Sequence, residues 1–228
     1  MLQLLLAAPS SGSGKTTVLV TRLGYMLCCC GIPADRILTM TYTKAATREM
    51  KQRFARLFGE DCPDIPEFRT INGVSSKIID FYARTHSGGN AFRLMEDEGL
   101  LSKLVSDLYR ALSGEFATQG VIKELRKNIT YVKNSMLDKE EIDDLDTGFE
   151  KFPELYRRYN LALRKQHWMD YDDQMVFALR ILRRYPDILA HFQSKYPYLC
   201  VDEAQDTSKI QHAILRLLAA RSRNLFMV

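Results

Sequence analysis

Near its start the chain carries a lysine between a glycine and two hydroxyl residues, in the run Ser10-Ser11-Gly12-Ser13-Gly14-Lys15-Thr16-Thr17. Glycines let a backbone curl until successive N–H groups point at one phosphate, and a helix starting there adds the positive end of its dipole. Lys15 would supply a full charge to β and γ phosphates, and the Thr16 hydroxyl could enter the shell of a magnesium ion. Ser11, Gly12, Ser13, Gly14, Lys15, Thr16 and Thr17 are therefore the candidates for phosphate contact. The match to GxxxxGK[ST] has one blemish, since Pro9 stands where the first glycine belongs. Far downstream lies Asp202-Glu203-Ala204-Gln205-Asp206, directly after the apolar run Tyr198-Leu199-Cys200-Val201. Two adjacent carboxylates at a strand end can divide the work, Asp202 holding the metal and Glu203 polarising an attacking water. Alone, such a pair also suits an ordinary helix start. A phosphate loop elsewhere in the same chain favours the chemical reading.

These groups need elements to hold them. Met1–Ala8 reads as a buried strand, and the periodic segment from Thr16 to Cys30, closed by Gly31, as a helix with a glycine stop. Arg36–Tyr42 is rich in strand formers. Thr43 can cap a helix whose Ala46, Met50, Phe54 and Leu57 fall on one apolar stripe. A proline-containing loop, Cys62–Glu67, precedes a brief strand, Phe68–Ile71, and a third helix through about Tyr82. Strands alternating with helices imply a parallel α/β sheet.

From His86 the pattern changes to long helical periods, continuing to about Trp168. The acidic stretch Asp138–Asp146 within it reads as a solvated turn or short exposed helix. Two more helices follow Asp170, then the strand leading into Asp202, a capped helix over Asp206–Ala220 and a last strand, Asn224–Val228. The expected organisation is an α/β domain over 1–85 and 169–228, interrupted by an all-helical insertion over 86–168.

Composition sets wider limits. The 228 residues are 46% hydrophobic and 26% charged, which excludes a disordered tail, a collagen-like fibre or a coiled coil. A net charge of +4 is too small to name a polyanionic partner. No run approaches the roughly 18 apolar residues that span a bilayer, and the apolar start lacks the basic leader of a signal peptide, so a soluble chain without a membrane partner is expected. Five cysteines, three of them consecutive at Cys28, Cys29 and Cys30, match neither a disulfide framework nor a CxxC metal spacing. A reducing cytoplasm is the simplest compartment, and those cysteines and His167 receive no chemical role.

Four blocks together resemble the UvrD/Rep/PcrA-like DNA helicases of superfamily 1. Ser11–Thr16 looks like their nucleotide-binding motif I, and Val201–Ser208 with Gln211 looks like motif II. Thr41-Tyr42-Thr43-Lys44-Ala45-Ala46-Thr47-Arg48-Glu49-Met50 resembles motif Ia, usually nearer TFTNKAAREM, and Asp170-Tyr171-Asp172-Asp173 resembles the DFDD element that precedes motif II. The resemblance implies a RecA-like P-loop NTPase fold with ATP and Mg2+ as cofactors. It puts Lys15 and Glu203 in catalysis, Gln205 beside the nucleotide, and Thr16 and Asp202 on the metal. It also implies single-stranded DNA as partner, facing Tyr42, Lys44 and Thr70.

The chain departs from the family in several places. Thr70-Ile71-Asn72-Gly73 replaces TFHS, and Lys44 and Ala45 replace the usual Asn and Lys, leaving Tyr42 the best-matched DNA-facing residue. Its alternative is burial beneath the strand end. Lys44, Arg48 and Lys51 share a helical face that suits phosphate or plain solvent. The family's upstream glutamine motif, its second RecA-like lobe and that lobe's arginines find no counterpart, so a fragment of low activity is expected, with its oligomeric state open. A relic that binds nucleotide or DNA without turnover, and a P-loop phosphotransferase, are the rival readings.

Overall fold

The computed structural model describes residues 14–89 and 92–228. It divides into two compact units, one of residues up to Ile78 with Ala178–Thr207 and Gln211–Val228, the other of Ile79–Phe177 with Ser208–Ile210.

The first unit is built on a four-stranded parallel sheet in the order β2-β1-β5-β6, formed by β1 (Ile37–Thr41), β2 (Glu67–Thr70), β5 (Tyr198–Val201) and β6 (Leu225–Met227). All five residues of β1 are buried, as a strand between two neighbours and beneath helices must be. Helix α1 (Lys15–Gly24) runs on into a π-helical turn, Tyr25–Cys29, and α2 (Lys44–Phe58) follows β1. As expected, Thr43 caps α2, its hydroxyl accepting from the Ala46 N–H at 3.0 Å. The predicted stripe is correct through Met50 and Phe54, both fully buried, but Leu57 is 49% exposed. Phe58 packs in its place, its ring 5.6 Å from that of Phe54. Gly24 makes this possible, because a Cβ there would stand 2.5 Å from the Phe58 ring. The two helices thus close on each other where one side chain is missing.

Helix α3 (Ile71–Thr85) extends past the predicted end and leads out of the first unit. The second unit contains β3 (Arg93–Leu94), α4 (Glu98–Ser113), α5 (Gln119–Ser135), α6 (Lys139–Asp143), α7 (Phe152–Lys165) and β4 (Trp168–Met169). Its core is Leu101 and Val105 from α4, Ile122, Leu125 and Ile129 from α5, and Phe152, Leu155 and Tyr159 from α7. The acidic stretch forms the short exposed α6, with a capping box between Asp138 and Glu141. The two-residue strands β3 and β4 pair in parallel, a feature too short to leave a periodic signal.

Asp170-Tyr171-Asp172-Asp173 opens α8 (Tyr171–Arg184) through reciprocal bonds. The Asp173 N–H donates to Asp170 Oδ1 at 2.7 Å, and the Asp170 N–H to Asp173 Oδ2 at 3.2 Å. Lys133 of α5 lies buried between the two carboxylates, 2.6 Å from Asp170 and 2.9 Å from Asp173, and the Tyr159 hydroxyl donates to Asp170 at 2.9 Å. Burial alone would lower the Lys133 pKa, but the two carboxylates outweigh it and hold the ammonium charged above its ordinary value. Here the acidic element is a structural pin for α5 and α7.

After α9 (Pro186–Lys195) and β5, the predicted helix from Asp206 begins later: Ala204–Asp206 is a 3₁₀ turn, and α10 covers Lys209–Ala219. No helix among the described residues is long and apolar enough to cross a membrane. The expectation that the cysteines carry no bridge is overturned, since Cys28 and Cys62 are disulfide-bonded with Cα atoms 6.4 Å apart. The odd count hid the pair, because a run of three cysteines does not show which one faces a fourth across two packed helices.

Candidate nucleotide site

Parallel sheets present ligands at the carboxyl ends of their strands, where following loops meet helix N-termini. Helix α1 begins there, just after Gly14, whose φ of 73° is left-handed backbone that glycine adopts without steric cost. Lys15 and Thr16 are its first residues. Opposite, β5 ends and delivers Asp202, buried to 5% exposure. The Thr16 hydroxyl donates to Asp202 Oδ2 at 3.1 Å, joining two residues 186 apart in sequence. Lys15 Nζ lies 3.9 Å from Glu203 Oε2. Lys15, Thr16, Asp202 and Glu203 are thus brought together, as the spacing alone could not guarantee. Ser11, Gly12, Ser13 and the strand expected over Met1–Ala8 lie outside the described residues.

Burial raises the Asp202 pKa above the usual aspartate range, the Thr16 hydrogen bond opposes this, and the neighbouring Glu203 charge adds to the rise. A cation at this point would relieve both effects. The donor set, a hydroxyl and a carboxylate of hard oxygen character, fits magnesium. Glu203 has φ 55° and ψ 46°, left-handed backbone that costs a residue with a Cβ. The turn is tied on both sides: the Glu203 N–H donates to Asp202 Oδ1 at 3.2 Å, and the Ala204 N–H to the Val228 carbonyl at 2.8 Å. Gln205 directs its amide at Glu203 and, at 3.4 Å, at Asp206. In this arrangement it braces the acidic group.

The DNA-facing candidates lie at the same end of the sheet. Thr41 and Thr70 are register partners at the ends of β1 and β2. Tyr42, the next residue, is 58% exposed, which rules out the buried alternative. Lys44 is exposed at the start of α2, with Arg48 and Lys51 exposed further along. Thr70 has a local task, its hydroxyl accepting from the Gly73 N–H at 3.0 Å to start α3.

Arg53 was missed. Its guanidinium donates to the Thr17 hydroxyl at 3.4 Å and to Glu49 at 3.0 Å, so a cation on α2 reaches the first turn of α1. The signal was its position between Met50 and Phe54, which tilts it towards the buried stripe and away from the face of Lys44, Arg48 and Lys51.

The model of the UvrD/REP helicase N-terminal domain matches residues 2–228. The ATP-dependent DNA helicase PcrA of Leuconostoc citreum is 30% identical over 229 residues, covering 98% of this chain and 30% of that protein. The putative ATP-dependent DNA helicase YjcD of Bacillus subtilis is 28% identical over 98% of the chain and 29% of its own length. PcrA of the same organism is 27% identical, with 98% and 30% covered. The chain therefore spans about a third of the length of the relatives it matches. With one family model running from residue 2 to the last residue, over a parallel sheet of the P-loop NTPase kind, the chain belongs to the UvrD/REP helicase N-terminal domain family.

Proposed function

We propose that these residues are the ATP-binding lobe of a UvrD-like translocase or helicase acting on single-stranded DNA, with the unit of α4–α7 as its helical insertion. The observation that carries this reading is the Thr16–Asp202 bond, which sets a helix N-terminus against a strand-end carboxylate beside Lys15 and Glu203. In this reading Lys15 neutralises the β and γ phosphates, the backbone at Gly14 and the start of α1 orients them, and Thr17 on α1 lines the nucleotide together with Arg53, which reaches it from α2. Gln205 is the further nucleotide-side group. Thr16 and Asp202 would hold Mg2+, whose charge would offset that of the phosphates. Glu203 accepts a proton from the attacking water, and its ion pair with Lys15 gives way when phosphate takes the lysine. Tyr42 offers a ring on which a base can stack without being read for sequence, with Lys44 and Thr70 beside it.

Taken by themselves, these 228 residues should hydrolyse ATP slowly. Arginines that stabilise a transferring phosphoryl group are worth ~10³–10⁵ in rate, and the resembling helicases supply theirs from a second lobe. The test is steady-state phosphate release by the purified chain, with and without single-stranded DNA, with Lys15→Ala as control. Release near background, with weak salt-sensitive DNA binding that Tyr42→Ala reduces, is the expected result. DNA-stimulated turnover of several per second that vanishes in Lys15→Ala would contradict the low-activity reading. ADP formed without phosphate release, and only when a small-molecule acceptor is present to take the phosphoryl group, would point instead to a phosphotransferase.

A further inference from the structure

Four of the five cysteines meet at the end of α1 opposite Lys15. The Cys28–Cys62 bridge joins the π-helical turn to the loop after α2, and its 6.4 Å Cα separation is within the usual span. Cys29 and Cys30, the next two residues, are exposed and unbridged. The two halves of the bridge differ in access: Cys28 is exposed, while Cys62 is buried to 8%. Both line a cleft of about 390 Å³ whose walls include Ile32, Pro33 and Pro63. That is room for a small molecule beside the sulfurs. The charged residues lining the cleft, Asp61 and Asp64, are both acidic, and no basic residue occurs between Phe58 and Glu67.

From access, space and charge together we propose that Cys28–Cys62 is an exchange-active bridge whose cleft takes low-molecular-weight thiols of positive charge, the aminothiols. An approaching thiolate meets the exposed Cys28 sulfur first. It bonds to Cys28 Sγ, the Cys28–Cys62 bond breaks, and Cys62 leaves as a thiolate that takes up a proton. A second thiolate attacks the thiol sulfur of the mixed disulfide, departs with it as the oxidised aminothiol, and frees Cys28. Two electrons pass from two thiols to the bridge, and the oxidised aminothiol reverses the sequence. An ammonium group on the incoming thiol is drawn to Asp61 and Asp64, whereas an anionic thiol such as glutathione is repelled.

The experiment uses the purified chain, equilibrated with cystamine and then alkylated. Peptide mass mapping should find Cys28 linked to Cys62, with Cys29 and Cys30 carrying the alkyl label or a cysteamine cap and no bridge to another protein cysteine. Opening rates are then measured with cysteamine, 2-mercaptoethanol and glutathione at equal thiolate concentration. The expected order is cysteamine fastest and glutathione slowest, with a gap of about tenfold at low salt that closes at ~1 M salt. Asp61→Asn with Asp64→Asn should remove most of that gap while leaving the bridge in place. Cys62→Ser should leave Cys28 able to carry a mixed disulfide with cysteamine. Five alkylated thiols after oxidation, a bridge from Cys62 to Cys29 or Cys30, or rates indifferent to the charge of the thiol would each overturn the proposal.

Discussion

Glu203 holds a left-handed backbone at φ 55° while carrying a full side chain, a conformation that costs a non-glycine residue of order 1–3 kcal/mol and is retained where a group must be aimed. The bonds to Asp202 and Val228 oppose its relaxation. Glu203→Gly should therefore unfold at higher denaturant concentration, a gain of about 0.5–1 kcal/mol once glycine's greater freedom in the unfolded chain is subtracted. Glu203→Gln, which keeps the strain, should lie within about 0.5 kcal/mol of the parent. A glycine variant that loses a kcal/mol or more would mean the turn is not strained. Asp202 makes a prediction about pH. Its carboxyl is raised, so it takes up a proton at higher pH than an ordinary aspartate. Protonation competes with a cation, and Mg2+ affinity should begin to fall on acidification above the usual aspartate range; Asp202→Asn should flatten that dependence, as magnesium titrations at stepped pH would record. Folding responds in the opposite direction, since a raised carboxyl favours the folded state at low pH and loses that contribution as pH rises through its folded pKa.

Among the elements, those with a cap and a long apolar period were legible, and those fixed by contact across the chain were not. Thr43 announced α2 because a hydroxyl before an apolar stripe satisfies a free N–H locally. Leu57 misled because residues 57 and 58 are both apolar, and the choice of Phe58 depends on a gap opposite Gly24 that no local pattern displays. Asp170 and Asp173 stand out by their resemblance, while their partner Lys133, 37 residues from Asp170, leaves no local signal. That partnership predicts a large effect. Lys133→Ala would leave two buried carboxylates facing each other, and the variant should lose about 3–5 kcal/mol in denaturant unfolding. Lys133→Met with Asp170→Asn and Asp173→Asn should recover part of that loss, since the uncompensated charge is gone. A Lys133→Ala protein of unchanged stability would show that the pin carries no net energy.

For the whole molecule, a parallel sheet brings chemistry from distant parts of the chain to one edge, since every strand ends at the same side. That is why Thr16 and Asp202 meet across 186 residues, and why Tyr42, Lys44 and Thr70 lie at the same sheet end. The two ends of this constellation could be read in the sequence because each is a short motif with its own backbone setting. Arg53 shows only its place beside the buried stripe of α2, and its role depends on which face of that helix turns to α1. The defining property of the constellation is that it receives a nucleotide. The direct measurement is equilibrium binding of a fluorescent ATP analogue, with and without Mg2+, to the chain, to Lys15→Ala and to Glu203→Gln. Magnesium-dependent binding that falls at least ~10-fold in Lys15→Ala and stays within about twofold in Glu203→Gln is predicted, since charge-assisted contacts to phosphate are worth roughly 1.5–3 kcal/mol. Binding of equal strength in the chain and in Lys15→Ala, or equal loss in both variants, would contradict it.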